Sequence, residues 1–190
     1  MATYTNSWSN KPWLIFSSVH ALIILLIDGL DFLYPKWFYE PEGSPFHIFY
    51  MVKQFYIADT NDPIVQWSKE TASGHDSWMG MFLYLEIAIE LPIVLFTVYR
   101  LGIQRKGTSG AHELALLVYA FQTAFTTAVC IHDVFYWDAS VYTAEVKNKV
   151  IFMSYLPWVI VPSLLFLDMG SRILARFNAA DAAVKGKKAQ

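Results

Sequence analysis

Four long apolar stretches, separated by polar or aromatic-rich segments, dominate the pattern of this chain. Each approaches the ~20 residues needed to cross a bilayer. They predict helical spans near residues 13–34, 78–100, 112–137 and 150–172. The expected fold is all-α: an integral membrane four-helix bundle over residues 13–172, since helices satisfy their backbone polar groups where water is scarce. The first run is long, and "GLDFLYPKW" follows it instead of a small-x-small cleavage site. It is therefore expected to be retained rather than removed as a leader.

Four spans put residues 1–12 and 173–190 on one side and the loop 35–77 on the other. The side with the termini would hold Lys11, Arg100, Arg105, Lys106, Arg172, Arg176, Lys185, Lys187 and Lys188. The opposite side would hold Lys36, Lys53, Lys69, Lys147 and Lys149. This excess makes the termini cytoplasmic and the loop 35–77 lumenal. Trp8, Trp13, Tyr34, Trp37, Trp78, Tyr136 and Trp137 sit near span ends, as an interfacial belt would. The terminal "KKAQ" matches a dilysine address for the endoplasmic reticulum, a signal read by a receptor. "PFHIFYMVKQFYIAD" suggests an amphipathic helix at the lumenal interface, or a cap on the bundle. Residues 177–190 are small and polar and are expected to be disordered.

Composition narrows the function classes. The chain has 190 residues, is 55% hydrophobic and 17% aromatic, and has a net charge of −2. Charged residues make up only 16%, against about 25% in typical globular chains. No basic patch is interleaved with aromatics, so nucleic acid is not an expected partner. The single cysteine, Cys130, lies in an apolar run and is expected to be a buried, inert thiol. No Cys/His spacing of metal type occurs, so neither a metal nor a cofactor is expected.

Against this apolar background, Asp28, Glu86, Glu90, Asp133 and Asp168 fall inside the spans. A charge at bilayer depth costs roughly 2.5–3.5 kcal/mol by insertion measurements. Such residues point to an acidic cavity between the helices. Glu86 and Glu90 are four apart and share a helix face. Two carboxyls that close in low dielectric do not both ionise. A neutral acid beside an ionised neighbour is the pairing that acid–base chemistry uses. Pro92 removes an N–H and frees the carbonyl of Ala88, which predicts a kink. Asp28 and His20 are eight apart on the first span, roughly on one face. Asp62 precedes Pro63, where a turn or helix cap is the plain alternative to a site role. Asp133 would line the cavity mouth, near His132. Asp168 and Arg172, four apart, read as a structural ion pair. Trp158, with Tyr155 three residues earlier, lies in "SYLPWVIVP". Pro157 and Pro162 should bend the fourth span there, and an aromatic face over a carbocation would be stabilising.

In order and spacing, "IDGLDFLYP", "NDP", "LEIAIELP", "HDVFYW" and "YLPWVIVPSLLFLD" resemble the EXPERA family. That family includes emopamil-binding sterol isomerases and the sigma-2 receptor, four-helix proteins of the endoplasmic reticulum. The resemblance spans residues 13–172. His20, Asp28, Tyr34–Pro35, Asp62–Pro63, Glu86 and Leu91–Pro92 resemble the sigma-2 branch. That branch implies Asp28 and Glu86 binding a ligand amine, with Asp62 supporting the fold. "IDGLDFLY", Lys53, Asp59, Glu86, "HDVFYW" and "PWVIVPSLLFLD" resemble the isomerases. These imply Asp28 and Glu86 in a proton-shuttling site and Trp158 beside a carbocation. The isomerases carry a histidine where Ile24 stands and an asparagine where Tyr155 stands. A different polycyclic or terpenoid substrate would suit those changes.

Two functions follow. One is a cofactor-independent isomerase or cyclase, with Glu86, Asp28 and Glu90 as acid–base groups. Trp158, Tyr155, Asp133, His20 and Asp62 would then contact the substrate. The other is a non-enzymatic sterol or amine binder that regulates lipid trafficking. A proton-coupled transporter is a weaker third, because four spans are few for that task. The partners expected are a hydrophobic small molecule and the bilayer. The sequence leaves a homodimer open.

Overall fold

A computed structural model describes residues 10–68 and 77–188. No strand occurs among them, and four helices are long and apolar enough to cross a membrane: Lys11–Asp28, Trp78–Ile103, Gly110–Tyr136 and Ala144–Gly186. The chain is an all-α, multi-pass membrane bundle. Its third and fourth spans pack along each other over a long stretch. Ile24, Val94, Leu116, Leu165 and Met169 form the central core, all fully buried. Much of the remaining apolar surface faces outward, including Ile15, Leu22, Phe96, Phe121, Phe125 and Phe152. In water this would be a liability, but against lipid tails it costs nothing. Helix association there rests on packing and interhelical hydrogen bonds.

Several spans contain wide, π-helical turns. These cover Ile24–Asp28, Glu86–Glu90, Val98–Ile103 and Val150–Tyr155. Two end two residues before a proline, Pro92 and Pro157. A proline ring clashes with the carbonyl four residues back and offers no N–H. Widening the preceding turn relieves both problems, with the Leu91 N–H bonding to the Glu86 carbonyl instead. The expected kinks thus take the form of π turns, which are frequent at functional sites.

The first wide turn ends differently, at Gly29, whose N–H reaches the Ile24 carbonyl at 2.8 Å. A Cβ on Gly29 would lie 2.5 Å from that backbone oxygen and 2.9 Å from Leu33 Cδ1. The oxygen cannot yield without undoing the turn. Gly29→Ala is therefore expected to cost about 1–3 kcal/mol through overpacking, seen as a lower thermal midpoint in detergent.

One end of the bundle is tied by a polar network. Arg172 grips Asp168 through Nε and Nη2, at 3.0 and 2.7 Å, as the i, i+4 spacing predicted. It also donates to Asn10 at 2.6 Å. Trp13 Nε1 donates to Asp168 at 2.6 Å, so this tryptophan locks helices together beyond any role in a belt. Glu113 is fully buried and held by Arg176 and Thr108. Ser109 and Thr143 cap the third and fourth spans, accepting from the amides of His112 and Val146.

One expectation is overturned here. The tail is helical through Lys188, continuous with the fourth span. "FNAADAAV" is alanine-rich, and alanine is the best helix former, so an existing helix propagates through it. Trp137, at the end of the third span, is buried and packed against Tyr142. Trp8 lies outside the described residues, as do 69–76 of the first loop.

Within that loop, His47–Thr60 is a helix ended by Asn61 in the left-handed conformation, φ 50°. Asparagine tolerates that C-terminal position. Ile48, Met51, Val52 and Phe55 are exposed on one face. Tyr50, Lys53 and Tyr56 turn the other way, into the interior. The helix is both amphipathic and a cap.

Candidate functional site

Between the spans and this cap lies a cavity of about 650 Å³. Its acidic wall comes from the wide turns. Asp28 closes the first, and Glu86 opens and Glu90 closes the second. Tyr155, also on the cavity wall, ends another. A π turn thus presents each of these side chains.

His20 is the hub. It is almost wholly buried, one turn before the first wide turn. Its Nδ1 is hydrogen-bonded to the Tyr119 hydroxyl at 2.6 Å. Its Nε2 faces Glu86 at 3.5 Å and Glu90 at 3.8 Å. The Trp158 ring lies over it, with centroids 4.5 Å apart, and Phe16 packs against both rings.

The three acids have different surroundings. Glu90 is buried and accepts from Gln122 at 3.0 Å and Thr123 at 2.8 Å. Asp28 and Glu86 line the cavity and, among the described residues, make no hydrogen bond. One acid is therefore fixed and two are available to a guest.

Asp62 is fully buried but does not line the cavity. Its Oδ2 accepts from the phenols of Tyr56 at 2.8 Å and Tyr155 at 2.6 Å. Its Oδ1 accepts from the Ile64 amide at 2.9 Å, making a turn cap. It positions two phenols that do face the cavity. Asp133 does not line the cavity either. It accepts from Trp137 Nε1 at 2.8 Å, four residues on along the same helix. That local bond turns it aside, which corrects its placement at the cavity mouth.

Nearer the surface, Asp31 accepts from Lys53 and Tyr39, both at 2.6 Å, and Lys53 is buried. Burial alone would push the Asp31 carboxyl up, but the hydrogen bonds from Lys53 and Tyr39 prevail and hold it below its usual range. A carboxyl lowered in the folded state stabilises above its unfolded value, and this contribution fades as pH falls through the folded value. Asp31→Asn is accordingly expected to flatten the acid limb of a stability-against-pH curve. The check is thermal midpoints of both proteins from neutral pH downward.

Tyr119, Gln122 and Thr123 contribute to the site but carry no charge to draw attention in the sequence. A signal was present. Tyr119, Gln122, Thr123, Thr126, Thr127 and Cys130 fall at i, +3, +4, +7, +8 and +11 on an apolar helix. That is one continuous polar stripe, and four of its members line the cavity. Cys130 is one of these and is buried.

A family model described as "EBP: EXPERA (EXPanded EBP superfamily)" matches residues 48–169. "Efficient mitochondria targeting-associated protein 19" of Schizosaccharomyces pombe is 24% identical over 129 residues, covering 68% of this chain. The chain spans 61% of the length of that relative.

Proposed function

This chain belongs to the EXPERA family, and we propose that it binds a sterol- or terpenoid-like substrate in its intramembrane cavity. There it would shift a double bond, or close a ring, by cofactor-independent acid–base chemistry. One observation carries this reading. Asp28 and Glu86 face one aromatic-walled cavity from wide turns on two spans, free of hydrogen bonds among the described residues.

One of the two, protonated, gives its proton to an alkene carbon, and the π electrons form the new C–H bond. The indole face of Trp158 stabilises the resulting cation. The other, as a carboxylate, removes a proton from a neighbouring carbon, and that C–H pair becomes the new double bond. Atoms and electrons balance without a co-reactant. Glu90, held by Gln122 and Thr123, is fixed beside His20 and so helps to position the imidazole next to the acid pair.

The test incubates purified protein in D₂O with a panel of sterols and polycyclic terpenoids, followed by mass spectrometry. Deuterium in recovered substrate or product is the expected result. Saturable binding of hydrophobic amines or sterols without any label would sink the enzymatic reading.

That outcome would favour a second reading, a non-enzymatic sterol or amine binder acting in lipid trafficking. The relative's printed name speaks of efficient mitochondria targeting rather than of a reaction, which favours this alternative. In it, Asp28 and Glu86 would hold a ligand cation.

For location we propose the endoplasmic-reticulum membrane, on the chain's EXPERA membership, with both termini cytoplasmic, on the asymmetry of Lys and Arg between the two sides. Glycosylation of an acceptor site placed between residues 138 and 143, with none in the segment 104–109, would be expected. The reverse pattern would overturn the orientation.

A further inference from the structure

We propose that His20, Glu86 and Glu90 form a binding site for a divalent transition-metal cation of the zinc class. This goes beyond the acid–base reading and stands without it.

The geometry comes first. One donor atom from each of the three residues lies within 4.8 Å of the other two. His20 Nε2 is 3.5 Å from Glu86 Oε1 and 3.8 Å from Glu90 Oε2. With metal–ligand bonds of ~2.0–2.2 Å, a tetrahedral ion holds its ligands about 3.4 Å apart. Glu90, held in place, already stands close to that spacing from His20, and a small rotation of the unheld Glu86 side chain completes the set. The next coordination position opens on the cavity, which Glu86 and Asp28 also line.

The surroundings are a second, independent observation. Metal-binding imidazoles characteristically hold their other nitrogen in a hydrogen bond, and ligating carboxylates are hydrogen-bonded in turn. Tyr119 holds His20 Nδ1, so Nε2 is the atom turned to the carboxylates. Gln122 and Thr123 hold one oxygen each of Glu90 and leave each a further lone pair. His20 and Glu90 are both more than nine-tenths buried. These supports fix the two donors on neighbouring spans before any ion arrives.

Charge and ligand type fix the guest. Asp28, Glu86 and Glu90 share one low-dielectric cavity, while Lys53 on the same wall is committed to Asp31. Uncompensated buried carboxylates are costly, and a bound cation offsets that cost. One imidazole with two carboxylates suits zinc, iron or cobalt, whereas magnesium and calcium prefer all-oxygen sites. A metal and a proton would compete for the lone pairs of Glu86. On the acid–base reading, and only there, the metal is therefore an inhibitor.

The test uses the full chain, free of affinity histidines, purified in detergent and stripped with a chelator. Equilibrium dialysis with Zn²⁺ alone should give saturable uptake of one ion per chain. Glu90→Gln and Tyr119→Phe should each weaken it by about tenfold or more, and Asp133→Asn should leave it unchanged. Absence of saturable uptake, equal affinity in all variants, or equal competition by Mg²⁺ would overturn the site. In case a variant fails to fold, Cu²⁺ is added to the unmutated protein and its electron paramagnetic resonance recorded. Hyperfine coupling to a single imidazole nitrogen is expected, and a spectrum with none overturns the proposal. Neither readout involves turnover, so its failure is distinct from failure of the isomerase reading.

Discussion

Glu86→Gln is expected to cut turnover by about 10²–10⁴-fold, the range that general acid–base catalysis contributes, with little change in thermal midpoint. The substitution is nearly isosteric. The Glu86 carboxyl makes no hydrogen bond among the described residues, so an amide there orphans no partner. His20 Nε2, 3.5 Å away, can still meet either end of an amide. What disappears is the exchangeable proton. The measurement is deuterium incorporation per unit time at saturating substrate, beside binding affinity for the same compound. Loss of label with affinity retained identifies a group that acts in the transition state. Unchanged turnover would remove Glu86 from the mechanism. Loss of affinity for amines alone would favour the binding-protein alternative.

The largest expected effect on stability is at Asp62. This carboxylate is fully buried and satisfies Tyr56, Tyr155 and the Ile64 amide together. Asp62→Ala deletes the acceptor and leaves those donors without it. Each orphaned buried polar group costs about 1–3 kcal/mol. A total loss of about 3–5 kcal/mol is expected from the same principle, after partial relaxation. Asp62→Asn keeps an acceptor for the Ile64 amide but offers the phenols a donor, so its midpoint should fall between the two. Thermal unfolding in detergent reads this directly. A midpoint within a degree of the unmutated protein would show that the phenols find other partners. Because Tyr155 lines the cavity, the same variant should loosen ligand binding even where it folds.

The spans were legible because a bilayer imposes one long, coarse pattern. The intramembrane acids were legible because charge in such a pattern is costly. Asp28, Glu86 and Glu90 indeed line one cavity, and Asp168 does pair with Arg172. What stayed hidden depends on contacts between spans. His20 meets Tyr119 across 99 residues of chain, and no local spacing announces that bond. The same reason hides the donor set of His20, Glu86 and Glu90, because metal spacing within one segment is the wrong place to look. Asp133 was misplaced for the opposite reason. Its position on the helix suggested the cavity, and a local bond from Trp137 decided otherwise. The tail was misjudged because low hydrophobicity argues against a packed core, not against a helix propagated from a span.

The wide turns bear on how this architecture tolerates gain and loss of residues. Each takes in one residue more than an ordinary helical turn. Deleting a single residue from Glu86–Glu90 would take the extra residue out of that turn and set Pro92 back against an α-helical carbonyl, while the span stayed long enough to cross the bilayer. The helical segments on either side would keep their faces, because the wide turn itself had absorbed the extra residue, and the change would be confined to the turn. The side chains that the turn presents, Glu86 and Glu90, would lose their present placement while hydropathy barely changed. In sequences aligned to this one, a gap of one residue at such a turn is therefore expected to mark the turn, and the side chains it presents, as gained or lost.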